Sequence, residues 1–173
     1  MKLLGNGLAW TRIFKALNLI GGCVGMKVKE SDLYETPPEI FEYAKARYGP
    51  FYLDVCAVKE TRKTKEYFGP DNEMESWQDG LARDWAPSCW MNPPYSNPKP
   101  WVEKAIEQAG KGVRTVALLP ADTSTKWFHL ILNADTHIEY LPKRVRFLHG
   151  GKRSGSPKFG NVLVVFFPEV EMP

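Results

Sequence analysis

Residues 88–95 read Ser88-Cys89-Trp90-Met91-Asn92-Pro93-Pro94-Tyr95. The first four are apolar enough for a short buried strand, and the two prolines, with fixed φ and no N–H, force that strand to end. Downstream, beyond Pro98 and Pro100, Val102, Ala105, Ile106 and Ala109 recur at helical spacing, with Gly110 or Gly112 as the stop. Thr115 to Leu119 is a second strand, ended by Pro120. Asp122 to Thr125 then supplies cap candidates for a helix burying Trp127, Phe128, Ile131 and Leu132. Strands are expected over 137–141, 145–148 and 161–167. Upstream, Thr36-Pro37-Pro38-Glu39 has the form of a capping box, and Ile40, Phe41, Ala44 and Tyr48 predict a helix over 37–48 stopped by Gly49-Pro50. Phe51 to Ala57 is of strand length and composition. The polar stretch from Lys59 to Trp85 has no sustained period and reads as a long loop, the kind of segment that carries function. Alternating strands and helices followed by strands predict an α/β sheet, mostly parallel with antiparallel C-terminal strands. Ligands gather outside the carboxyl ends of strands in such sheets. Asp54 and the corner Asn92–Tyr95 are the polar groups expected there.

The composition agrees with one domain: 173 residues, 43% hydrophobic and 25% charged, lie within the range of a globular chain and exclude disorder and collagen. Cys23, Cys56 and Cys89 are odd in number and lack a C-x-x-C spacing, which argues against a disulfide framework or a zinc site and for a reducing cytoplasm. His129, His137 and His149 have no metal-ligand spacing either, so no metal is expected. Residues 1–25 are rich in Leu, Ile and Gly, but Arg12 and Lys15 interrupt the apolar run, so neither a signal peptide nor a membrane span is expected. They read as an N-terminal extension, with the working domain over 26–173.

The net charge of +3 is mild but unevenly spread: Lys143, Arg144, Arg146, Lys152, Arg153 and Lys158 fall between Leu141 and Gly160 with no acid among them. A solvated loop accounts for such a run, and so does a surface for a polyanion.

The corner 92–95 joins an amide side chain, a stiffened backbone and an aromatic face. The Asn92 side-chain oxygen and the Pro93 carbonyl can both accept from one exocyclic NH2 group while Tyr95 stacks on the ring that bears it. Accepting both protons draws the nitrogen toward tetrahedral geometry and frees its lone pair to attack an electrophile without an ionised base. A proline turn before a core tyrosine has the same residues.

Glu35-Thr-Pro-Pro-Glu39, Leu53-Asp54-Val-Cys-Ala57, Asp79-Gly-Leu-Ala-Arg-Asp84-Trp85, Asn92-Pro-Pro-Tyr95 and Leu119-Pro-Ala-Asp-Thr-Ser-Thr-Lys-Trp127, in that order, resemble the phage-type DNA N6-adenine methyltransferases. The resemblance covers about residues 31–168. It implies a Rossmann-like S-adenosylmethionine-dependent methyltransferase sheet, with Asn92, Pro93, Pro94 and Tyr95 as the catalytic corner. It further implies that Thr36 helps hold the carboxylate end of the cofactor, Asp54 its amine and Asp84 the amino group of its adenine, with Pro37 and Cys56 also at the cofactor; Phe68, in the long loop, is the aromatic candidate to cover that adenine. One departure is plain: no glycine-rich turn follows Asp54, so close backbone approach to the cofactor is not provided there.

By the same resemblance the substrate is an adenine in double-stranded DNA, flipped out of the stack to reach the corner. The basic run, Lys143 to Lys158, then becomes a clamp for the flanking phosphates, mobile through its glycines. The corner alone also suits an RNA adenine or a protein glutamine amide, and a non-catalytic DNA-binding module on the same fold remains the reading from another class.

Overall fold

The structure is a computed structural model that describes residues 34–153 and 159–168. Three helices are described, α1 (Pro38–Tyr48), α2 (Lys99–Ala109) and α3 (Lys126–Leu132). The strands are β1 (Leu53–Asp54), β2 (Glu66–Tyr67), β3 (Ser88–Met91), β4 (Arg114–Pro120), β5 (Thr136–Tyr140), β6 (Leu148–His149), β7 (Lys152–Arg153) and β8 (Asn161–Phe166). Six of them form one sheet in the order β2-β1-β3-β4-β8-β5, and β6 with β7 forms a separate hairpin.

Burial on both faces explains why the central strands read as unbroken apolar runs. Every residue of β3 and of β8 is buried. One face of the sheet presents Met91, Ala117, Leu119, Val162 and Val164 to Trp101, Val102 and Ala105 of α2 and to Phe128 and Ile131 of α3. The other presents Trp90, Val116, Leu118, Leu163 and Val165 to Phe41 and Ala44 of α1 and to Val145 and Phe147. The result is a helix–sheet–helix sandwich whose parallel strands β1, β3 and β4 end together on the side where Asp54 and Asn92 lie.

Several expectations change at the level of pairing. The first strand shrinks to two residues, although Val55 N–H still reaches the Trp90 carbonyl at 3.1 Å. The long loop contains β2, which pairs parallel to β1, and a 3-10 turn over Glu75–Trp77. Two residues have no period to detect, so only the partner strand defines β2. Of the C-terminal strands, only β8 is reversed: it pairs antiparallel to both β4 and β5, so β5 runs in the direction of β4. Val145 and Phe147 are buried under α1 without forming a strand, and Leu132 is largely exposed.

The capping box does not form. Pro37 occupies the N-cap position and no side chain caps the helix. Consecutive prolines start α1 one residue later than the motif requires, so Glu39 sits at the second helical position rather than the third. Thr36 is left to turn elsewhere, and Glu39 pairs instead with Arg153 at 2.7 Å. Among the described residues no helix is long and apolar enough to cross a membrane, and no acidic, histidine or cysteine cluster could hold a metal ion. The extension over 1–25 lies outside the described residues.

Candidate active site

Asp54 ends β1, and Asn92 follows β3 at once, so two adjacent parallel strands bring a carboxylate and an amide to one cleft. The cleft encloses about 860 Å³, counting the space at its open mouth.

Asp54 is 2% exposed. Its Oδ2 accepts from the Lys63 backbone N–H at 2.9 Å, while Oδ1 is buried with no hydrogen-bond partner. Burial pushes its carboxyl up to about 6, against the opposing pull of the Lys63 and Cys56 N–H groups and the Lys63 charge. A buried, half-satisfied carboxylate is costly unless something supplies a donor. A cationic amine in the cleft fits that vacancy of bonding.

Asn92 carries the second orphan. Its Nδ2 donates to the Tyr34 carbonyl at 3.5 Å, and its Oδ1 is buried and unpartnered on the same wall. The amide is therefore held by its nitrogen with an acceptor to spare. Pro94 also lines the cleft, whereas Pro93 is buried in the turn. Tyr95 is not brought to the wall: its hydroxyl donates to the Leu118 carbonyl at 3.2 Å and accepts from Asn161 at 3.0 Å, and its ring meets Phe147 edge-on. These bonds tie the corner to β4 and β8. Burial holds the Tyr95 phenol well above its usual range, so it stays neutral.

Thr36 (2% exposed), Cys56 and Phe68 also line the cleft. The Cys56 thiol faces the Asn92 backbone N–H, and burial pushes it far up, so it is a neutral thiol. Phe68 packs edge-on against Trp77 at 5.1 Å. Pro37 faces away and lines a second groove with Lys143, Arg144, Arg146 and Arg153. Lys152 is exposed on the β6–β7 hairpin outside that groove, and Lys158 lies outside the described residues. The hairpin turns on Gly150 and Gly151, both at positive φ, as a two-residue turn with backbone twist matched to its strands requires.

Asp84, like Pro37 and Tyr95, is not among the residues that line the cleft. Its side chain is 75% exposed and bonded to Lys111 at 2.7 Å and to Gln108 at 3.0 Å. The Lys111 ammonium holds its carboxyl below the usual range. In the Asp-Gly-Leu…Asp-Trp run, Gln108 also accepts from the Trp85 backbone, and the buried Trp85 indole donates to the Gly80 carbonyl at 2.7 Å. The run thereby fixes Asp79-Gly80, and it is Asp79 that lines the cleft.

The glycine-rich approach missing after Asp54 comes from other segments. A Cβ on Gly69 would stand 1.7 Å from the Ala57 carbonyl oxygen, and one on Gly80 would stand 2.2 Å from that of Val55. Both glycines line the cleft, so two loops close on the end of β1 as only glycine permits.

A family model described as DNA N-6-adenine-methyltransferase (Dam) matches residues 24–172. The chain belongs to that Dam family. A DNA N-6-adenine-methyltransferase of Haemophilus phage HP1 (strain HP1c1) is 36% identical over 149 residues, covering 83% of either chain. One of Escherichia phage T1 is 38% identical over 99 residues, 56% of this chain and 39% of its own.

Two residues of the cleft wall carry no signal in the sequence. Lys63 is 11% exposed and pairs with Glu35 at 2.9 Å, both on the cleft wall. Trp101 contributes a buried indole N–H with no partner, also at the wall. Neither carries a sequence signal: Lys63 is one lysine among several in a polar loop, and Trp101 reads as an ordinary apolar position of α2. Membership in the family implies a methyl donor, and the orphaned Asp54 oxygen together with the two glycine-only approaches suits a ligand with a cationic amine.

Proposed function

We propose that this chain transfers a methyl group from S-adenosylmethionine to N6 of an adenine flipped out of double-stranded DNA. The observation that carries the reading is the pair of buried, unpartnered acceptors, Asp54 Oδ1 and Asn92 Oδ1, on the wall of one cleft. Membership in the Dam family supplies the reaction and favours DNA over RNA or a protein amide. The Rossmann-like reading of the sheet is supported by three parallel pairings followed by a single reversed strand.

S-adenosylmethionine, when bound, supplies a sulfonium methyl as electrophile. Asp54 takes the amine of the amino-acid end, for which its lone oxygen and ionised form are suited. Thr36 and the Lys63 ammonium take the carboxylate. Asp79, in place of Asp84, accepts from the adenine amine, with Phe68 and Trp101 around the ring. Asn92 Oδ1 and the Pro93 carbonyl accept the two protons of the target nitrogen, pull it out of conjugation and offset the positive charge that grows on it. Once the methyl has been taken, that nitrogen releases one proton to solvent. Holding both reactants in line accounts for much of the remaining acceleration.

Incubating DNA with labelled S-adenosylmethionine, digesting it and identifying the modified base tests the reaction. N6-methyladenine is the expected product, and DNA left unlabelled while RNA or protein offered in parallel takes the label refutes the DNA reading.

Two substitutions separate the adenine-binding candidates. Asp79→Ala weakens S-adenosylmethionine binding about tenfold, the loss expected for one charge-assisted hydrogen bond. Asp84→Ala leaves that affinity unchanged within a factor of about two, since the lost contacts are exposed ones. Calorimetric titration of both variants decides between them.

The basic groove supports a phosphate contact. Arg144→Ala with Arg146→Ala lowers DNA affinity at all sequences and flattens the slope of log K against log salt by about 2. An unchanged slope excludes the clamp.

A further inference from the structure

The Asn92 corner needs a surface against which an extruded base can lie, because a flipped nucleotide leaves its stacking partners behind. Tyr95 is poorly placed to be the whole of it, with its hydroxyl bonded in the core and its ring against Phe147. A different aromatic stands at the cleft. Tyr34 lines the same wall as Asn92, and its side chain keeps enough open surface that the residue is 37% exposed. Its carbonyl receives the Asn92 Nδ2–H, the bond that leaves Asn92 Oδ1 as the acceptor without a partner.

The ring is held from behind. It lies nearly parallel to Phe147, 17° between planes at 6.4 Å, and edge-on to His149 at 5.7 Å. The next residue, Glu35, exchanges two backbone hydrogen bonds with Leu148 at 2.8 and 2.9 Å, and its carboxylate pairs with Lys63. Tyr34 thus sits on a strap that touches the catalytic amide, the cofactor cleft and the basic hairpin. Its ring is backed by an aromatic, its strap is braced by backbone bonds, and the residue is part of the cleft lining with over a third of its surface exposed.

We propose that Tyr34 is the stacking platform for the target adenine, its ring bearing the base while its carbonyl orients the Asn92 amide toward the base's amino group. This rests on the DNA-methylation reading above. Side-chain substitution leaves the carbonyl in place, so the two roles separate. Base–aromatic stacking is worth about fivefold to 150-fold in affinity per base. An aromatic substitute retains it and an aliphatic one of similar bulk does not, although both fill the space beside Phe147.

The test compares the full-length wild-type chain with Tyr34→Phe, Tyr34→Leu and Tyr34→Ala on unmethylated double-stranded DNA with labelled S-adenosylmethionine. Cofactor affinity is measured separately by calorimetry without DNA. Expected are a loss of at least tenfold in kcat/KM for DNA in Tyr34→Leu and Tyr34→Ala, recovery to within threefold in Tyr34→Phe, and cofactor affinity within threefold throughout. Equal activity of the Leu and Phe variants overturns the platform, as does a matching loss of cofactor affinity in Tyr34→Ala, which would make the residue part of the cofactor wall. If wild type binds cofactor yet labels no DNA, the DNA reading falls and the platform with it.

Discussion

Asn92→Ala is expected to lower turnover by about two to three orders of magnitude, the effect of removing one acceptor aimed at a developing charge. Cofactor affinity should remain within several-fold, because Asp54, Thr36, Lys63 and Asp79 stay on the cleft wall. The fold should tolerate the change: Asn92 gives up a single long hydrogen bond to Tyr34, and the variant no longer buries an unpartnered oxygen. Single-turnover kinetics beside calorimetric titration measures both quantities. A loss of cofactor affinity as large as the loss of turnover would place Asn92 at the cofactor rather than at the target amine.

Asp54→Asn is expected to separate stability from binding. In the folded chain the carboxyl titrates near 6, above its usual 3.8, because burial disfavours the charged form. The unfolded chain therefore loses this proton first. Folding is not penalised by Asp54 below pH ~4, the penalty grows between pH ~4 and ~6, and above ~6 it is full, about 3 kcal/mol by linkage. An amide at the same position carries no such charge, so the variant without cofactor should melt higher than wild type at pH 8 and lose the advantage toward pH 4. Affinity for S-adenosylmethionine should fall at least tenfold at pH 8, since the amine loses its counter-charge. In wild type that affinity should also weaken as pH drops below about 6, and in the variant this dependence should vanish. Thermal melts and titrations across pH 4 to 8 check all of this, and an Asn variant that melts lower at pH 8 would mean that the carboxylate already has a partner in the free protein.

Both substitutions fall on residues that the sequence made conspicuous. Asn92 stands out because two prolines forbid the strand to continue, and that stop is a property of the backbone, independent of what packs around it. Asp54 stands out as an acid inside an apolar run. Asp79 and Asp84 show the limit of such reading: both occur in the run that resembles the family, and composition does not rank them. The difference arises when Trp85 turns inward to reach the Gly80 carbonyl, while Asp84 is drawn outward by Lys111, 27 positions along the chain. The glycines have the same history. Gly69-Pro70 and Asp79-Gly80 read from the sequence as ordinary turn dipeptides, and each glycine becomes obligatory only through a carbonyl of another segment.

Helix periods, proline stops and the apolar strands 88–91, 115–119 and 161–166 were determined by local chemistry, because side-chain spacing and fixed φ angles act within a few residues. They were enough to define an α/β sheet with a polar corner at its carboxyl edge. Tertiary structure alone decided that β2 exists, that β8 is inserted in reverse between β4 and β5, that Thr36 faces the cleft instead of capping α1, and that Tyr34, Lys63 and Asp79 join Asn92 and Asp54 there. Each of these depends on partners far away in the chain. A two-residue strand, a salt-bridged lysine or an exposed tyrosine has no pattern of its own and acquires its role only from what the fold sets beside it.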